Sequence, residues 1–357
     1  MKITIVGGGN IGTQFAVHCA EKQHEVVVYT SKPELFDRCL QTVDDNGKVT
    51  HEGEISFATA DPCKAYKEAE LILVTLPANV MRGCAEEVFQ YASSKCIIGV
   101  VPGNGGSECA FRKCIERGNL FFLIERVPAI ARLVKKGRCV RSTGYRKELR
   151  VAALPMAGAE MCGKLIGNLF DMDYVTVPTI LSLTMTPSNP ILHTTRLRTI
   201  FADYREGKTY TEIPLFYEGW NDASSELLLN CDDEIQRICR ALPGDVSVKS
   251  LREHYESPTA EALTKKLSGI PAFRGITTPT VLTKDGYIPD LHSRYFTADF
   301  SFGLKVIQQI ARFMKTETPY IDQTMKWYQE IAIEHEEFHY EDYGITDRES
   351  FIKFYRQ

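Results

Sequence analysis

A glycine loop at the end of a short apolar run constrains this chain more than any other feature. Residues 2–6 (Lys2 to Val6) read as a strand, and Gly7-Gly8-Gly9-Asn10-Ile11-Gly12 follows with the spacing G-x-G-x-x-G. Small and apolar residues at helical spacing come next (Thr13, Phe15, Ala16, Cys19, Ala20), then a turn at Gln23-His24 and a second strand, 25–29. Strand, glycine-opened helix and strand within about 30 residues make a βαβ unit suited to a dinucleotide. Gly7 permits the tight turn, Gly9 lets backbone N–H groups approach a pyrophosphate, and Gly12 lets the helix sit close to the strand. The whole loop, Gly7, Gly8, Gly9, Asn10, Ile11 and Gly12, is the expected phosphate cradle.

The residues after the second strand bear on the choice of cofactor. An NAD site commonly places an acid there for the ribose 2′-hydroxyl. This chain has Thr30-Ser31-Lys32, with Arg38 expected one or two helical turns further on. Hydroxyls and cations suit a 2′-phosphate, so NADP is preferred over NAD. The competing reading makes Thr30 and Ser31 caps of a helix that starts through Pro33 and Glu34.

Further strands are expected at 55–58, 70–76, 96–101 and 120–125, giving an open, mostly parallel sheet whose ligands lie at the strands' carboxyl ends. Two of those ends carry proline and glycine loops, Thr75-Leu76-Pro77-Ala78-Asn79 and Pro102-Gly103-Asn104-Gly105-Gly106-Ser107. Leu76, Pro77, Ala78 and Asn104 are the residues expected beside a nicotinamide ring, although ordinary turns have the same composition. A strand pair at 139–143 and 149–154 is expected to close this Rossmann domain, assigned to residues 1–185.

The length of 357 residues suits two or three domains. The balance of 42 basic against 46 acidic residues, a net charge of −4, offers no broad basic face for nucleic acid or anionic membrane. No apolar run approaches the roughly 20 residues of a membrane span, and the amino terminus leads straight into the glycine loop without a signal-peptide pattern, so a cytoplasmic protein is expected. Eleven cysteines at irregular spacing, nine of them within 19–162, read as buried thiols rather than a disulfide framework.

After Thr186-Pro187-Ser188-Asn189-Pro190 the pattern becomes helical, with long helices expected at 224–242, 302–314 and 321–334. Ser188 or Asn189 can cap a helix with Pro190 at its first position, which puts His193 in the first turn. A histidine so placed can exchange a proton with substrate. Asp299, in the block 294–304 ahead of another helix, could orient His193, and Arg294 could grip a carboxylate through two parallel hydrogen bonds. Taken singly, Asp299 also reads as a helix cap, Arg294 as a surface charge and His193 as a satisfied helix-end residue. His335-Glu336-Glu337-Phe338-His339 matches the zinc pattern H-E-x-x-H, but it sits in an acidic run with no buried apolar flank, and no metal is expected there.

Taken in order along nearly the whole chain, Gly7–Gly12, Thr75-Leu76-Pro77-Ala78, Pro102-Gly103-Asn104-Gly105-Gly106, residues 125–132, Asn189-Pro190-Ile191-Leu192-His193 and residues 294–304 resemble the opine dehydrogenase family, the octopine/nopaline dehydrogenase group. The resemblance implies a Rossmann domain followed by an all-α substrate domain, here 186–357, with substrate between them. It also implies His193 as catalytic acid/base, Asp299 as its partner and Arg294 as a carboxylate ligand. The implied reaction uses NAD(P)H to join an amino acid to a 2-oxo acid such as pyruvate, giving a secondary-amine dicarboxylate, and a homodimer is an expected assembly. Tyr204, Tyr217 and Trp220 are expected in the amino-acid pocket, with interdomain core as the alternative. Thr194 after the histidine and Ala298-Asp299-Phe300-Ser301 depart from the family pattern and bear on substrate choice. A ketopantoate-reductase-like or glycerol-3-phosphate-dehydrogenase-like keto reductase, or a dinucleotide sensor without turnover, is the competing reading.

Overall fold

The computed structural model describes residues 1–103, 105–187, 189–332 and 336–356. Two compact units divide the chain, Met1–Thr184 and Met185–Phe354. The chain end from Tyr355 groups with the first unit rather than closing the second, as a division at 185/186 would have it. Its anchor is Glu108, whose Oε1 accepts the Tyr355 hydroxyl at 2.7 Å.

The first unit is built on strands β1 (Lys2–Val6), β2 (Glu25–Tyr29), β3 (Cys39–Val43), β4 (Val49–Glu54), β5 (Phe57–Thr59), β6 (Leu71–Val74), β7 (Ile97–Val100), β8 (Phe121–Ile124), β9 (Ile130–Lys135), β10 (Cys139–Thr143), β11 (Glu148–Leu154) and β12 (Asp173–Thr176). Eight form one sheet in the order β12-β11-β8-β7-β6-β1-β2-β5. All neighbours are parallel except β11 against β8. The largely apolar runs Ile3–Val6, Leu71–Val74 and Phe121–Ile124 are buried on both faces, as strands of a sheet covered by helices require. Helix α1 (Asn10–Glu21) contributes Phe15 to the core shared with Ile3, Ile5, Val26 and Val28, a burial worth about 2–3 kcal/mol for that side chain.

Three local expectations fail here. The expected pair 139–143 and 149–154 falls into different sheets: β10 joins a second sheet, β4-β3-β10-β9, and β11 the large one. Nor does a helix follow Ser31, because Pro33–Leu35 form a single 3-10 turn and β3 begins at Cys39. Arg38 therefore stands at the approach to β3, paired with Glu54 at 3.1 Å. The third expected strand begins at Phe57 rather than residue 55, because Ile55 is drawn into the core ahead of it.

The second unit is mainly α-helical, with helices Asn189–Ile200, Asp222–Ala241, Lys305–Met314 and Pro319–Ile331. It is not all-α. A hairpin of β13 (Thr280–Thr283) and β14 (Gly286–Pro289) turns at Gly286, φ +128°, and bridges to Tyr210. No helix among the described residues is long and apolar enough to cross a membrane. All eleven cysteines are free thiols; eight are buried, whereas Cys39 and Cys63 are exposed and Cys139 half-buried.

Candidate active site

The parallel register aligns the carboxyl ends of three strands. Val6 pairs with Tyr29 on one side and Val74 on the other, so Gly7, Thr30 and Thr75 leave the sheet at one level. Connections run to opposite sides of β1, the switch point where such sheets bind ligands. Gly7 has φ +109°, and a Cβ there would stand 2.8 Å from Thr75 Oγ1. A Cβ on Gly12 would stand 1.7 Å from the Gly7 carbonyl oxygen, so α1 touches the loop backbone itself. At Gly9, the N-cap of α1, a Cβ would meet nothing within 4 Å. The first turn of α1 has no acidic residue, and no side chain caps it. An open cradle over an uncapped helix start fits a pyrophosphate.

Asn10 plays a different part, its Oδ1 accepting the Leu133 N–H at 2.7 Å and fastening the loop to β9. Ile11 packs against the core. Leu76 lies against the Gly7 turn, Pro77 precedes a 3-10 turn Ala78–Val80, and Thr75 donates to the Val6 carbonyl at 2.9 Å. Phe36 and Thr30 Oγ1 crowd Gly8. Thr30 is buried while Ser31 and Lys32 are exposed. Lys32 occupies the cap position of the 3-10 turn and its side chain makes no cap hydrogen bond, while its backbone N–H donates to Thr30 Oγ1 at 3.4 Å. Asn104 and Ser188 lie outside the described residues.

The second constellation lies wholly within the helical unit. Its basis is a crossing between helix Asn189–Ile200 and a π-helical segment, Asp299–Leu304, that continues into helix Lys305–Met314. Residues 294–297 are themselves helical, so Asp299 is not the cap of a helix that follows a loop. A Cβ on Gly303 would stand 2.9 Å from the Pro190 ring. That close approach sets Asp299, four residues back, beside His193, three residues on. His193 Nδ1 is 2.7 Å from Asp299 Oδ2. The Asn-Pro-x-x-His and Asp-x-x-x-Gly-Leu blocks are thus the two sides of one contact. Because the helix begins at Asn189, His193 lies one turn in rather than in the first turn.

The other imidazole nitrogen, Nε2, is 3.0 Å from the Tyr217 hydroxyl. Burial pushes this phenol's pKa well above its ordinary value, with the neighbouring Tyr295, Tyr255 and Asp299 acting in the same direction. Tyr217 stacks on Phe273 at 4.1 Å and on Trp220 at 6.0 Å. Trp220 is buried and donates Nε1–H to Ser225 Oγ at 3.0 Å, so it braces Tyr217 from the core side. Tyr204 is not part of this group: it packs on Phe201 and Tyr210. Arg294 is exposed, its guanidinium 5.5 Å from the Tyr295 ring, and among the described residues it has no ion-pair partner.

Two residues escaped sequence reasoning. Tyr295 sets its edge against the His193 ring at 4.3 Å and stacks on Phe216 at 5.2 Å. Arg196, 1% exposed, donates to the carbonyls of Phe216 and Gly219 and to Ser224 Oγ. It pins the segment that carries Tyr217, and burial brings its pKa down to about 10. Its signal was an arginine three residues beyond His193, on the same helix face.

The H-E-x-x-H segment is not the zinc helix its pattern describes. Helix Pro319–Ile331 ends before it, and residues 336–339 are not helical. Contrary to expectation it has a buried apolar anchor, Phe338, whose N–H reaches the Ser301 carbonyl, while Glu337 pairs with Lys305 at 2.6 Å. His335 lies outside the described residues.

A Rossmann sheet with an open phosphate cradle, followed by a helical unit in which a carboxylate holds a buried imidazole, defines an NAD(P)-dependent oxidoreductase. Residues 176–332 match the family profile described as NAD/NADP octopine/nopaline dehydrogenase, alpha-helical domain, and residues 2–114 the amino terminus of NAD-dependent glycerol-3-phosphate dehydrogenase. An opine dehydrogenase of Arthrobacter sp. (strain 1C) is 27% identical, the alignment covering 89% of this chain and 87% of that protein. An opine dehydrogenase of Haliotis discus hannai is 24% identical over 92% of this chain and 90% of its own. A solved octopine dehydrogenase with NADH and L-arginine superposes with a TM-score of 0.84 at 21% identity, covering 99% of this chain and 98% of that one. Residues 176–332 thus carry the helical domain of the octopine/nopaline dehydrogenase family, and nearly the whole chain is similar to opine dehydrogenases.

Proposed function

We propose that this protein uses NAD(P)H to condense an amino acid reductively with a 2-oxo acid such as pyruvate, yielding a secondary-amine dicarboxylate. The observation that carries the reading is the Asp299–His193 pair at 2.7 Å in a helical unit of this family. Amine and oxo carbon lose water to form an imine, and addition of one hydride and one proton gives the product. The reduced nicotinamide supplies the hydride.

The protein's own residues supply position and the proton. The carboxylate accepts Nδ1–H from His193, which leaves Nε2 as the atom that exchanges a proton with substrate. Tyr217 engages Nε2 until substrate takes its place. Arg294, uncommitted to any described acid, binds a substrate carboxylate in a bidentate grip. Thr30, Ser31 and Lys32, with no acid among them, favour the 2′-phosphate of NADPH over the ribose of NADH. Arg38 is tied to Glu54, so the preference rests on the other three.

The test follows NADPH and NADH absorbance in parallel with pyruvate and single amino acids, omitting each component in turn. Oxidation that needs both organic substrates is the expected result. Oxidation with the oxo acid alone would make this a simple keto-acid reductase.

A further inference from the structure

Away from the His193 group, one cluster of ligand-type side chains among the described residues is assembled within the first unit. His18 and Glu21 lie three residues apart on α1 and so share a face, and β4 lies against α1 and carries His51 to the same place. Gly53 makes that close approach feasible, since a Cβ there would stand 2.6 Å from Ala20 Cβ and 2.7 Å from the Glu21 nitrogen. A nitrogen of each imidazole and a carboxylate oxygen of Glu21 all lie within 4.8 Å of one another. His51 Nδ1 is 2.8 Å from Glu21 Oε2, and the two imidazole centroids are 4.3 Å apart.

We propose that His18, Glu21 and His51 bind a divalent transition-metal ion of the zinc type, with three protein ligands and the remaining position open to water. Two imidazoles and one carboxylate are the donor set such ions take, whereas calcium and magnesium prefer oxygen alone. Bonds of about 2.0–2.2 Å place tetrahedral ligand atoms roughly 3.4 Å apart, so any separation near the 4.8 Å limit must close while the His51–Glu21 pair, at 2.8 Å, opens slightly. The cluster is built to do so. His18 is 2% exposed and held in place, while the His51 and Glu21 side chains, 30% and 35% exposed, are free to adjust. Next to His18 Nε2, at 3.3 Å, stands the Tyr145 hydroxyl, itself bonded by Ser142 Oγ at 2.9 Å. Such an outer hydroxyl orients a ligating imidazole. The ion would cross-link α1, the helix that opens at the phosphate loop, to the small sheet.

The experiment uses the full chain, stripped with a chelator and dialysed, then titrated with zinc by calorimetry and with cobalt by visible absorption. One equivalent is expected, with the tetrahedral cobalt bands and a thermal midpoint raised by about 5 °C at saturation. His51→Ala and Glu21→Gln should each weaken binding at least about tenfold, while His339→Ala leaves it unchanged. Unaltered affinity in either cluster variant, loss of binding in His339→Ala, or no equivalent bound at micromolar zinc overturns the proposal. Circular dichroism checks that each variant is folded, and if His51→Ala is not, the near-isosteric Glu21→Gln decides alone.

Discussion

The Tyr217 hydroxyl lies 3.0 Å from His193 Nε2 while Asp299 holds Nδ1 at 2.7 Å, so both nitrogens of one buried imidazole are engaged. The bond to Asp299 fixes the tautomer and ring plane, whereas the bond to Tyr217 occupies the atom that the proposed chemistry needs. If substrate displaces the phenol, Tyr217→Phe should keep kcat within about threefold of the parent, a loss of one neutral hydrogen bond at most. A fall of a hundredfold or more in steady-state kcat would instead make the tyrosine an obligatory proton conduit.

Removing the pair itself should be far costlier. His193→Ala and Asp299→Asn are expected to lower kcat by about 10²–10⁴, the range of positioned general acid–base catalysis. Dinucleotide affinity, measured by fluorescence titration, should change little, because the phosphate cradle uses none of these residues. Near-parental turnover in His193→Ala would remove the histidine from the mechanism.

Lys32→Glu puts an acid where a 2′-phosphate is expected to sit. The ratio of kcat/KM for NADPH over NADH should fall by about tenfold or more, equivalent to at least ~1.4 kcal/mol of discrimination. An unchanged ratio would mean that Lys32 does not read the 2′ position.

Gly12→Ala places a methyl group 1.7 Å from the Gly7 carbonyl oxygen, a backbone atom that cannot swing away. Loss of dinucleotide binding is expected, together with a destabilisation of about 1–3 kcal/mol from forced displacement of α1. Gly9→Ala, at an open position, should lower dinucleotide affinity without the stability loss, and denaturant unfolding with and without cofactor separates the two cases.

Glu108 is fully buried, and burial raises its pKa despite the Tyr355 and Thr184 hydroxyls bonded to Oε1. A carboxyl with a raised folded-state pKa stabilises the fold in its protonated form. That contribution is complete below the unfolded value of about 4.3 and is lost as pH rises toward the folded value. Glu108→Gln stays neutral throughout, so its thermal midpoint relative to the parent should improve from pH 4.5 to pH 8. A constant difference across that range would show that Glu108 is not carried into the core as the neutral acid.

Much of the nucleotide half was legible because its signals are local. A glycine loop needs only its own φ angles and the next helix to be recognised, and β1, α1 and β2 fall where residues 2–29 place them. The small sheet was not legible, since β3, β9 and β10 are ordinary alternating segments whose partners lie up to about a hundred residues away in sequence, and nothing local distinguishes joining one sheet from joining another. At the His193 site the two motif blocks could be matched to each other by resemblance, but the Tyr217 contact depends on Arg196 holding a distant loop by its carbonyls.

By itself, then, the sequence determined the dinucleotide-binding half and the order of the two units, because glycine geometry and hydrophobic period belong to residues close in the chain, whereas it assigned His193 and Asp299 their roles only through resemblance. Only the tertiary structure decided that Gly303 lies over Pro190 so that Asp299 reaches His193, that Tyr217 closes the other side of the ring, and that His18, Glu21 and His51 meet. Such meetings are set by how helices and strands pack, and packing distances of a few ångströms between residues far apart in the chain leave no local trace.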